Sequence, residues 1–310
     1  MTRPLSGTQY ELSYGDYSAV IASVGASLRK LTHAGRDLVV PFEADAPRPA
    51  FRGAVLAPWP NRIADGRYTF AGVQQQVALT EPERGNALHG LVAWLDFGAI
   101  EQTPSRVTLG ATIQAQQGYP HRVDVEVVYE LTADGLFSQV TGSNSGADAA
   151  PWGTGPHPYL VAGDAVRPNA VNEWTLLLPA DRVLEVTPDR LLPTGTRPVS
   201  EQGGAFDFRE TRAIGDVFID HAFTGLATDA SGRTRVEVRA ADGSGTAISW
   251  DAACPWVQVH TADLPDPRVT RQGLAVEPMT CPPDAFNSGT DLVVLEPGAA
   301  HAAGWTISAL

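Results

Sequence analysis

A carboxylate alone in an uncharged run is the first candidate for chemistry in this chain. Residues 273–289 read GLAVEPMTCPPDAFNSG, and after Glu277 no other charge follows until Asp284. Such a carboxylate is either desolvated, which lifts its pKa toward the range of a general base, or held ionised by hydrogen bonds. Prolines at 278, 282 and 283 forbid a helix and suit a central strand poorly, so Glu277 is expected to end a strand ahead of a shaped loop. The plain alternative is a strand-end carboxylate facing water. Two histidines stand upstream in stiff or glycine-bounded contexts. His157 lies between prolines in PWGTGPHPYL, and His89 precedes Gly90 in TEPERGNALHGLVAW. Either could be a positioned acid or base, or simply a packed and hydrogen-bonded ring.

Other residue types suit sugar or anion recognition. In APWPNRI, Arg62 follows Asn61 and could aim a forked donor at ligand oxygens, or make an ordinary ion pair. Trp59 is either core or an apolar platform. In FIDHAFTGL, adjacent Asp220 and His221 would point to opposite faces of a strand. Asp220 is the better partner for hydroxyl groups and His221 the structural member.

Several chemistries lack their residues. The two cysteines, Cys254 and Cys281, form no CxxC, and the seven histidines form no HxH or HExxH pair, so no metal is expected. No glycine loop ends in GK[ST], and Lys30, the only lysine, stands in SLRKLTHAG without catalytic context, so no nucleotide or Schiff-base cofactor is expected. With 22 basic against 35 acidic residues the net charge is -13, which opposes binding to nucleic acid or an anionic membrane and favours a small-molecule partner. The N-terminal residues lack a signal-peptide core and no run of about 18 apolar residues occurs, so the expectation is a soluble, cytoplasmic protein, monomer or homodimer.

The elements that must hold these residues read as strands. Short alternating segments broken by turns begin at Tyr10 with YELSY, YSAVIASV, SLRKLTH and DLVVPF. Hairpins are expected at residues 67–79, 97–114 and, most clearly, 122–142, where RVDVEVVYEL alternates, TADG turns and LFSQVTG returns. Further strands are expected at 173–184, 233–239, 246–250, 257–261, 292–295 and 305–310. No segment of 12 or more residues carries a helical period, and no linker or repeat interrupts the chain. The 310 residues therefore predict one large, all-β, antiparallel sandwich domain, with long loops at 41–65, 80–96, 142–174 and 187–220. Loops of such length in a compact domain are usually functional.

In order along the chain, NRI, LHG, HPY, DHAF and VEPMTCPPDAFN, with LLPTGTRPVSEQGGAFDFRE between, resemble the aldose 1-epimerase (galactose mutarotase) family from about Asn61 onward. The resemblance implies a β-supersandwich and a monosaccharide substrate, with no cofactor or metal. It aligns Arg62, His89, His157, Asp220 and Glu277 with the family's site residues, and Gln258 more loosely. Departures are Leu91 after LHG, HTAD after Gln258 and PMTCPP after Glu277, and they bear on which sugar is taken. By this resemblance an ionised Glu277 takes the proton of the anomeric hydroxyl, and a protonated His157 gives one to the ring oxygen. His89 then favours the open intermediate, while Arg62, Asp220 and Gln258 hold the sugar; Asn61 and Trp59, beside Arg62 in the chain, are further candidates for contact with it. The alternatives are a carbohydrate-binding protein without turnover, a glycosidase using two carboxylates, or a mutarotase of a phosphorylated or sulfonated hexose recruiting Arg52 or Arg84.

Overall fold

Strict alternation over residues 122–142 becomes a ten-residue hairpin, Val123–Thr132 against Gly135–Asn144, with Val123, Val125, Val127, Tyr129 and Leu131 turned inward. The computed structural model describes residues 3–163 and 166–310, so residues 164 and 165 of the third long loop lie outside the described residues. That hairpin supplies the third and fourth strands of a nine-stranded antiparallel sheet whose order is Gly98–Gln102, Arg106–Ile113, Val123–Thr132, Gly135–Asn144, Ala300–Ala309, Gly245–Trp250, Thr234–Arg239, Thr175–Leu177 and Arg212–Ala213. The strand Ala300–Ala309 joins its two halves, pairing with Gly135–Asn144 on one side and Gly245–Trp250 on the other.

A second, six-stranded antiparallel sheet has the order Tyr159–Leu160, Leu274–Met279, Trp256–His260, Asp220–Leu226, Ala180–Val186 and Pro193–Pro198. An N-terminal sheet of four strands, Gln9–Tyr14, Tyr17–Ala22, Ser27–His33 and Arg36–Asp37, completes the larger units. One apolar cluster runs through them from Tyr10 to Ile307. Its largest fully buried side chains are Trp152, Trp250 and Trp305, the last two directly opposite across neighbouring strands. Burying one such ring is worth about 4–6 kcal/mol at ~25 cal/mol per Å², as an upper bound before entropy. Close packing also dictates small residues: a Cβ at Gly142 would lie 2.4 Å from the Trp152 ring.

Several strand expectations change: the expected loop 187–220 contains the strand Pro193–Pro198, and the strand expected at 305–310 begins at Ala300. Residues 173–184 form two strands in different sheets, Thr175–Leu177 and Ala180–Val186, because Pro179 interrupts the ladder between them. Glu277 does not end its strand, which continues through Pro278 to Met279. The ladder with Tyr159–Leu160 covers only Leu274 and Ala275, so Pro278 sits where a ladder partner exists on one side alone, a position proline tolerates. The one α-helix among the described residues is the four-residue Ala285–Ser288.

Candidate active site

Three adjacent strands of the six-stranded sheet form the floor of a cleft. Gln258 is opposite Glu277 in the pairing of Trp256–His260 with Leu274–Met279, and His260 is opposite Asp220 in the pairing with Asp220–Leu226. Two loop motifs close a wall. Arg62–Ala64 pairs with Asn86–Leu88, and just beyond the strand ends Asn61 and His89 clasp each other. The His89 N–H donates to Asn61 O at 2.8 Å, and the Asn61 N–H donates to His89 Nδ1 at 3.2 Å. His157 enters from a stretch tied on both sides, its N–H donating to Ala54 O and its carbonyl accepting from the Gly53 N–H.

The resulting cavity is about 150 Å³ and is lined by Asn61, Arg62, His89, His157, Asp220, Gln258 and Glu277 together with Phe51, Tyr159, His260 and Leu264. That is below the roughly 300–1,000 Å³ of drug-sized sites and suits one small polar molecule. Ala50, Phe51, Asn61 and His89, all on its wall, have left-handed backbones with φ of 46°, 54°, 58° and 61°. Each costs about 1–2 kcal/mol, and such strain gathers at functional sites.

The electrostatics follow from burial. His157 Nε2 lies 3.4 Å from Glu277 Oε1 with both side chains almost wholly buried. Burial pushes the Glu277 carboxyl well above its ordinary range, Asp220 adding to the rise and Arg62 opposing it. Burial, followed by the nearby His260, pushes His157 down to about 3. Both shifts favour the uncharged forms, a protonated Glu277 beside a neutral His157. This depth of burial works against the expected pairing of ionised glutamate with protonated histidine. His89 is also held well below its usual value by burial and by His157. Because its Nδ1 accepts from Asn61, neutral His89 carries its proton on Nε2 and can only donate there.

Polar atoms in the cleft are left open. Glu277 Oε2, His157 Nδ1 and Gln258 Oε1 are buried without hydrogen-bond partners, a condition native structures avoid unless something binds. Gln258 Nε2 donates to Asp220 Oδ1 at 2.7 Å. Arg62 is gripped by Glu81, its Nε and Nη2 donating to the two carboxylate oxygens at 2.9 and 3.0 Å, while Nη1 reaches Asn61 Oδ1 at 3.2 Å. Rings brace His157, with Tyr159 stacked at 5.1 Å and Phe51 at 6.3 Å.

Seven of the eight residues singled out from sequence converge here. Trp59 does not: it is buried in the apolar core with its ring edge-on to Phe286, so it serves packing and not the cleft. Adjacent Asp220 and His221 divide as expected, Asp220 lining the cleft and His221 packing on Phe206. Neither Arg52 nor Arg84 lines the cleft. Sequence reasoning missed Phe51, Tyr159, His260 and Glu81; only Tyr159 and His260 carried a signal, Tyr159 as the last residue of HPY and His260 two positions after Gln258 on the same strand face.

Gly90 fixes the end of the clasp. Its φ is +74°, and a Cβ would stand 2.1 Å from Ala57 O, the oxygen that accepts from the Leu91 and Val92 N–H groups. Gly90→Ala is expected to cost about 1–3 kcal/mol in urea denaturation; an unchanged midpoint would remove this strain argument.

Comparison with known proteins bears on the chain as a whole. The family model described as aldose 1-epimerase matches residues 8–308. The chain is 39% identical over 297 residues, 96% of its length and 91% of the relative's, to the uncharacterized protein YihR of Escherichia coli K12. It is 27% identical over 291 residues to the galactose mutarotase of Mus musculus, covering 87% and 82% of the two chains. Among solved structures, a GalM/aldose epimerase homologue from C. elegans superposes with a TM-score of 0.83 at 20% identity, covering 98% of each chain. At that identity the likeness speaks for the fold, the all-β supersandwich.

Proposed function

Because the chain belongs to the aldose 1-epimerase family, we propose that it is a mutarotase, interconverting the α and β anomers of a hexose. The observation that carries this reading is the buried Glu277–His157 pair, 3.4 Å apart, with open hydrogen-bonding atoms around it. On sugar binding, a proton passes from Glu277 to His157, which leaves the pair's proton count unchanged. Glu277 then takes the proton of the C1 hydroxyl while His157 gives its proton to the ring oxygen. The C1–O5 bond breaks, the C1=O1 carbonyl forms, and the pair is again protonated glutamate and neutral imidazole. Ring opening thus returns the pair to the state that burial favours. Rotation about C1–C2 and reversal of the proton transfers give the other anomer. Two positioned groups contribute about 10²–10⁴-fold each, adequate for a reaction that also proceeds in water.

His89, a donor through Nε2, suits the carbonyl oxygen of the open form. Arg62, Asn61, Asp220 and Gln258 supply contacts for hydroxyls. The reading takes the whole chain as one unit, which the apolar cluster from Tyr10 to Ile307 supports. A neutral hexose is favoured over an anionic one, since Arg62, the guanidinium of the cleft, is already paired with Glu81. A glycosidase would set two carboxylates about the bond, whereas the neighbour of Glu277 is an imidazole and Asp220 is engaged by Gln258. Polarimetry or NMR of freshly dissolved α-glucose, α-galactose and an anionic hexose tests the reading. Accelerated anomer exchange of a neutral hexose is expected; acceleration of none across a broad panel would sink it, and saturable binding without acceleration would leave a carbohydrate-binding protein.

A further inference from the structure

One cleft residue has no part in the proton transfers, and its position on the sheet gives it a task. Gln258 and His260 are two residues apart on one strand and share a face, so their rows are separated by about 7 Å. The first row is Gln258 with Glu277, and the second is His260 with Asp220. Between them the remaining corners are small: Ala275 is opposite His260, and Ala222 opposite Gln258. A pyranose with its anomeric hydroxyl on Glu277 therefore lays the hydroxyls of its opposite side over the second row.

The chemistry of that row is definite. His260 Nδ1 faces the Ile219 carbonyl at 3.4 Å and Asp220 Oδ1 at 3.9 Å, both acceptors, so the tautomer that fits them carries its proton on Nδ1. His260 Nε2 is then a bare acceptor, and among the described residues it takes no hydrogen bond. Asp220 Oδ1 accepts from Gln258 Nε2, which leaves Oδ2 as a second open acceptor. Two acceptors side by side call for two donors, and a negative substituent there would meet the Asp220 carboxylate.

We propose that His260, with Asp220, forms a specificity subsite that reads a pair of neighbouring hydroxyl donors across the ring from the anomeric carbon. The subsite rests on the mutarotase reading for its orientation, since Glu277 fixes where the anomeric carbon lies. The substrate class that follows is a hexose with free, uncharged hydroxyls at that side, any charged substituent lying elsewhere on the sugar.

The test crosses His260 variants with 3-deoxy and 4-deoxy hexoses, using 2-deoxy hexose for comparison. Wild type is expected to lose about tenfold or more in kcat/KM toward the analogue lacking the hydroxyl above His260. His260→Phe loses a similar factor on the intact hexose, mostly in KM, and no longer distinguishes that analogue. His260→Gln, which keeps an acceptor oxygen, recovers part of the discrimination, an outcome a merely structural role would not produce. Thermal melts of both variants confirm that they fold. If His260→Phe discriminates among the deoxy sugars as wild type does, the subsite is overturned. Equilibrium binding of the same sugars, followed by NMR, separates the two ideas. Binding without turnover removes the mutarotase reading, and the Kd pattern then decides for or against His260. Wild type that binds none of the sugars overturns both.

Discussion

Glu277→Gln is expected to lower kcat for anomer exchange by about 10²–10⁴-fold while making the protein more resistant to urea at neutral and alkaline pH. The loss of rate follows from removing the carboxyl that sits beside His157 and can alternately hold and release the anomeric proton. The gain in stability follows from linkage. In the folded chain burial, with Asp220 second, raises the Glu277 pKa, whereas the unfolded chain has an ordinary carboxylate. Folded protein thus binds the extra proton from the ordinary carboxylate range up to the raised value, and stability falls as pH rises through that window. A glutamine at this position does not titrate and escapes the fall. The advantage of the variant should therefore be larger at pH 8 than at pH 5. A gap in urea midpoints that narrows with pH would contradict the buried, protonated glutamate, and an undiminished kcat would remove Glu277 as the base.

His157→Asn is expected to be nearly as damaging, and the double variant with Glu277→Gln no slower than the worse single, because the two groups act as one proton-exchanging unit. The pH profile gives a sharper readout. His157 is pushed down to about 3 by burial, chiefly, and by His260, while Glu277 is pushed up. Between those limits the pair holds one shared proton, the count the reaction requires. For wild type, kcat/KM should stay level as pH falls past 6.5, the ordinary histidine value, with the acid limb displaced well below it. An acid limb centred near 6.5 would mean that His157 titrates as an exposed imidazole. On stability the histidine works in the opposite direction to the glutamate: its contribution is present above pH 6.5 and is lost as pH falls toward 3. His89→Asn should cost less than His157→Asn, since His89 stays neutral and only donates; the reverse order would exchange their parts.

Legibility in the sequence followed the range of the physics. Alternation is local, so the Val123–Thr132 hairpin and the adjoining Arg106–Ile113 strand were readable to within a residue or two, whereas the first half of Ala300–Ala309, with its small residues, was not. Pairing between sheets is not local, so the crossing at Pro179 was hidden inside what read as one segment. Motif order brought forward Arg62, His89, His157, Asp220, Gln258 and Glu277, which the fold gathers about one cavity. Phe51 lies in a loop where no periodicity operates, and its left-handed backbone has no sequence mark of the kind glycine provides. Glu81 was invisible because its role depends on meeting Arg62, 19 residues earlier, through a bidentate geometry. Trp59 was the reverse case: a side chain type suited to sugars, used here for packing against Phe286. Protonation states were out of reach altogether, since they depend on depth of burial.

The strand Ala300–Ala309, which joins the two halves of the nine-stranded sheet, also sets a schedule for biosynthesis. A ribosome delivers residues in order, and the sheet's two halves can each zip locally before residue 300 emerges, yet neither can be completed. Until that ribbon threads between them, Gly135–Asn144 and Gly245–Trp250 each expose a bare edge to other nascent chains. The cleft has the same timetable, for Glu277 meets His157 only across a chain separation of 120 positions, and such long-range closure is slow. The assembled cleft is therefore a late acquisition of the growing polypeptide.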